Sequence, residues 1–72
     1  MTRVNRWQAV RQAYLEWLRE RQALDGYIMM NADPPRDVTE VRRLLEQAQA
    51  AGADFTAKLR EFVVEEKDNA EG

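Results

Sequence analysis

Apolar residues recur along this chain at intervals of three and four, in two rows separated by a break. The first row is Trp7, Val10, Tyr14, Trp17, Leu24 and Ile28, with the charged Arg21 standing where one more apolar member would fall. The second is Val38, Val41, Leu45, Ala48, Gly52, Phe55, Leu59 and Phe62, without a slip. Alternating steps of three and four keep side chains on one side of an α-helix, so each row predicts a long amphipathic helix. The break is "NADPPRD", residues 31–37. Two consecutive prolines cannot lie inside a helix, and Asp33 before Pro34 is pushed toward extended backbone. After them, "DVTE" reads as a helix start, with Asp37 as cap and Glu40 reaching back. Thr2 or Asn5 can cap the first helix.

These signals predict an all-α fold: an antiparallel helical hairpin, two long helices joined by a Pro-Pro loop. Residues 1–72 form a single domain, with helix 5–30, loop 31–36, helix 37–67 and a frayed acidic tail at 68–72. Gly52 is the ambiguous point. It could end a helix, with Asp54 capping a third. A turn there has no reason to preserve the three-four register, however, and Phe55, Leu59 and Phe62 continue the phase of Val41 and Leu45. Folding about the prolines places Trp17 between Ala48 and Gly52, the largest side chain of one row against the smallest positions of the other. Gly52 therefore reads as a notch for Trp17. The same folding sets Trp7 near Leu59 and Phe62, Val10 near Phe55 and Leu59, and Leu24 near Leu44 and Leu45.

A two-helix hairpin encloses little core, and this chain has no cysteine to staple it. Leu18, Leu44 and Val63 widen the apolar strip beyond a two-position seam, a width that suits a four-helix bundle. A homodimer of hairpins is the expected assembly, and the alternative is a hairpin completed by a different protein. Its expected dimer or partner interface comprises Trp7, Val10, Tyr14, Trp17, Leu18 and Arg21 on the first helix. On the second it comprises Leu44, Phe55, Leu59 and Phe62. Arg21 is expected to lay its stem along the core and send its head to solvent, or to pair with Glu46 or a partner carboxylate. Tyr27, Met29 and Met30 at the hairpin tip are either a cover for the bundle end or a candidate partner-binding tip.

Charge sharpens the picture. The chain carries −2 overall. Within residues 1–22, five arginines outweigh Glu16 and Glu20, whereas residues 54–72 hold six acids against Lys58, Arg60 and Lys67. A hairpin brings these two ends together, so internal neutralisation is expected. The chain contains no histidine, and no run approaches the roughly 20 apolar residues of a membrane span. A cytoplasmic location is the default expectation. There is no phosphate-cradling glycine loop, no EF-hand spacing and no Ser/His or Cys/His pair, so neither an enzyme nor a cofactor or metal site is expected. The expected function is a small helical protein–protein interaction module: a self-associating scaffold, adaptor or regulatory subunit. The alternative is a nucleic-acid-linked protein, using the arginine-rich first helix or acting as an acidic inhibitor of a nucleic-acid-binding machine. Trp7 belongs to the core row and the arginines surround the helix, which disfavours direct nucleic-acid binding.

Overall fold

A computed structural model describes the backbone of residues 2–71 and the side chains of residues 2–67. Helix α1 runs Arg3–Met30 and helix α2 runs Thr39–Glu71. The two pack antiparallel into a rod of 56 × 16 × 14 Å. No strand occurs among the described residues. The fraying expected at 68–72 falls on side chains outside the described residues, although α2 itself continues to Glu71.

Local chemistry explains the helix ends. Asn5 N donates to Thr2 Oγ1 at 3.1 Å, so Thr2 is the cap of α1. At the other end Asn31 closes the helix, its backbone N donating to Tyr27 O at 3.1 Å and its Nδ2 to the same carbonyl at 2.7 Å. Asp37 organises the start of α2: Thr39 N and Thr39 Oγ1 both donate to Asp37 Oδ1, at 2.9 and 2.6 Å. These two bonds, the hydroxyl's first, hold the Asp37 carboxyl below the ordinary carboxylate range. Glu40 does not complete the expected capping box. Arg43 engages its carboxylate in two bonds, at 2.6 and 3.2 Å, and such a charged fork outcompetes a neutral backbone N–H.

Gly52 lies within continuous α2, and its backbone is not left-handed. A β-carbon there would meet Trp17 Nε1 at 2.9 Å and Cδ1 at 3.2 Å. The glycine is thus a notch occupied by the indole. The Trp17 ring then stacks on Phe55, with centroids 5.4 Å apart and planes at 14°.

The seam differs from the expected rows by a small roll of each helix. Buried side chains are Val10 and Ala13 on α1, and Leu44 and Ala48 on α2. Arg6, Trp17, Glu20, Leu24 and Tyr27 continue the α1 seam as half-buried positions. Trp7, Tyr14 and Ile28 therefore flank the seam, and Val38 and Leu45 are largely exposed. The reason is size. Helix axes 8–10 Å apart leave little room at the centre of a contact. Alanines fit there; Trp7 and Tyr14 do not, so their rings lie to one side. The facing pairs Trp7–Phe62, Tyr14–Phe55 and Trp17–Gly52 also sit about two positions further along α2 than even folding about the prolines implies.

The two helical glycines should respond oppositely to substitution. Nothing lies within 4 Å of a β-carbon built at Gly26, so Gly26→Ala should stabilise the hairpin by roughly 0.5–1 kcal/mol. Gly52→Leu should destabilise it by about 1–3 kcal/mol through overpacking against Trp17. Thermal melts of both variants check the pair.

The Asp37 contribution has a pH sign. Because its folded pKa is depressed, its stabilisation is present above the ordinary carboxylate range and is lost as pH falls through the lowered value. The protection of the Thr39 amide, its exchange rate relative to the intrinsic rate at the same pH, should fall on acidification below about pH 4. Asp37→Asn, which keeps an acceptor, should flatten that dependence, whereas Asp37→Ala should leave the amide unprotected at every pH.

Candidate interaction surface

The roll of α1 gives the rod two unlike flanks. On one flank lie aromatic rings in two clusters. Trp7 meets Phe62 at 5.1 Å between centroids, and Tyr14 meets Phe55 at 5.4 Å. Tyr14 also stands edge-on to Trp17 at 6.1 Å. Despite these contacts, Trp7 and Tyr14 each leave 44% of their surface exposed. Near the open end of the hairpin, Arg3, Val4, Trp7 and Phe62 line an apolar groove of about 390 Å³. The opposite flank presents Glu16, Glu20, Asp54 and Glu61, with Arg43 and Lys58 among them. There Gln47, its amide turned to suit both neighbours, donates to Glu20 Oε2 at 3.1 Å across the seam and accepts from Arg43 Nη1 at 3.3 Å. Lys58 Nζ pairs with Asp54 Oδ2 at 3.0 Å within α2.

The open end is tied by charge. Arg3 Nε lies 2.9 Å from Glu66 Oε1, and Arg6 Nε lies 2.6 Å from Glu65 Oε2. Arg6 Nη2 is 3.6 Å from Glu66 Oε1. Arg6 Nε and Glu66 Oε1 are shielded from water, which strengthens the attraction relative to a fully solvated pair. This is the internal neutralisation that the charge distribution implies. It engages two of the five arginines in the first 22 residues.

The expected interface residues divide into two groups. Val10 and Leu44 are buried inside the hairpin and present nothing to a partner. Trp17, Leu18, Phe55, Leu59 and Phe62 are half-buried, and Trp7, Tyr14 and Arg21 are exposed. Arg21 lies with its guanidinium carbon 5.3 Å from the Trp17 ring centroid. It therefore roofs the central aromatic cluster instead of reaching Glu46. At the tip Tyr27 is half-buried, while Met29 and Met30 extend outward, 82% and 87% exposed. Sequence reasoning missed Leu15, which is 51% exposed on the outer side of α1. Its signal was an apolar residue standing off the main row.

Among the described residues, no cluster of acidic side chains could hold a metal ion, and no helix is long and apolar enough to cross a membrane. No family model, curated protein or solved structure matches this chain.

The Arg21 contact yields a test of the central cluster. Arg21→Gln should lower stability by about 0.5–1 kcal/mol, the value of an exposed cation–π contact, and should change the tryptophan emission of the chain. Chemical denaturation followed by tryptophan emission reads both.

Proposed function

We propose that this chain is a small non-catalytic helical interaction module, working by self-association as a scaffold, adaptor or regulatory subunit. Its working surface is the aromatic flank. One observation carries the reading: the rings that organise the hairpin are left half-uncovered. No side chain among the described residues reaches full burial, Trp7 and Tyr14 each remain 44% exposed, and Trp7 lines an apolar groove. A small chain without disulfides has little core of its own. Contiguous exposed aromatic surface marks protein contact sites. Pairing two such flanks gives a four-helix bundle, in which each hairpin supplies the layer that the other lacks.

The nucleic-acid alternative draws less support. Arg3 and Arg6 face Glu65 and Glu66 within the hairpin, which offsets both the basic start and the acidic end. The remaining arginines of α1, Arg11, Arg19 and Arg21, point in different directions around the helix.

If association and folding are coupled, the melting temperature should rise with protein concentration. Circular dichroism melts across a hundredfold dilution series check this. A midpoint independent of concentration, with intact helicity throughout, would overturn self-association.

A further inference from the structure

We propose that a second copy of this chain covers the outer face of α1, in an antiparallel two-fold contact centred between Gln8 and Arg11. The proposal rests on the interaction reading above and names its partner and its geometry.

The two helices differ in how their apolar residues are distributed. Those of α2 centre on the seam, whereas those of α1 cover a wider arc, running from Leu24, Trp17 and Val10 past Tyr14 and Trp7 to Leu18, Val4 and Leu15. A helix apolar on more than one side needs more than one neighbour. Beyond the seam, α1 carries a second apolar row that runs from the aromatic flank, with Trp7, Tyr14 and Leu18, to the adjoining outer side, with Val4 and Leu15. All but Leu18 are exposed.

That face is complementary to itself. Its groove, lined by Arg3, Val4, Trp7 and Phe62, lies at one end. Tyr14, whose ring rests on Phe55 and is 44% exposed, lies on the same side of the helix about nine residues from the middle of the groove, roughly 14 Å away. A two-fold axis midway between them sets the Tyr14 ring of each copy in the groove of the other, and faces Val4 with Leu15. Such an isologous contact needs only one kind of patch. The axis also sets Arg11 against Gln8. A parallel pairing would oppose Arg11 to Arg11, and pairing through the other flank would oppose Glu16, Glu20, Asp54 and Glu61 to one another.

The chain has 5917 Å² of accessible surface, whereas a compact monomer of 8.4 kDa would have about 4,600 Å². The surplus is that of the rod as a whole, and a partner giving up the roughly 800 Å² of a standard interface would remove more than half of it.

Light scattering of the purified chain should give twice the 8.4 kDa chain mass. Leu15→Glu should reduce it to the monomer, and retained helicity by circular dichroism should show the hairpin intact. Because the chain has no cysteine, disulfide capture reports orientation. An equal mixture of Val4→Cys and Leu15→Cys chains should form a mixed covalent dimer under mild oxidation, with little product from either alone. Efficient capture by Leu15→Cys alone would mean parallel packing and would overturn the geometry. A dimer that survives Leu15→Glu would overturn this interface and leave the interaction reading standing. A wild-type monomer at every concentration would overturn both.

Discussion

The arrangement of this hairpin depends on one close approach, the Trp17 indole lying where a β-carbon of residue 52 would otherwise be. That contact sets how far the helices slide past each other and how each is rolled. With the indole in the notch, Phe55 lies parallel beneath it and Tyr14 meets it edge-on. The small residues Ala13 and Ala48 are then left at the centre of the seam, where only small residues fit. A glycine within a helix costs about 1 kcal/mol relative to alanine. Burying much of a tryptophan offsets that several-fold. The same slide and roll leave Trp7 and Tyr14 beside the seam, where both remain exposed.

Much of this was legible in the residues. The paired prolines announced the reversal, and the unbroken spacing through Gly52 announced a single second helix. The contrast of tryptophan with glycine announced their contact. The roll was harder. Arg6, Ala13, Glu20 and Tyr27 lie one position from Trp7, Tyr14, Arg21 and Ile28, and both sets alternate correctly with Val10, Trp17 and Leu24. Hydrophobicity favours the second set; the first wins because its alanine lets the backbones come close. Periodicity reports direction around a helix only to about one residue, and side-chain volume settles the remainder. The charged members of the seam could have been found by asking which acids lie opposite Arg3 and Arg6. The candidate surface was legible only in part, because Val4 and Leu15 stand off the main rows and single apolar residues on a helix surface are common.

The unlike flanks give the rod a direction in cross-section. Acidic side chains crowd one side, where Glu20, Gln47 and Arg43 form a polar bridge over the seam. Rings occupy the other, with Arg21 laid over the most central of them. A planar guanidinium suits this place better than an ammonium, because it can lie against a ring while its edge keeps contact with water. A charge is thereby accommodated inside an otherwise apolar strip.

The covalent link between α1 and α2 exists at one end only. Contacts near the prolines close short loops, while those joining Arg3 to Glu66 and Trp7 to Phe62 close nearly the whole chain. The contacts at the open end therefore carry the largest loop-closure cost, and that end also holds the apolar groove. Anything that seats there does more than occupy a surface: it clasps the two free ends together and gives the hairpin the second tie that its backbone lacks.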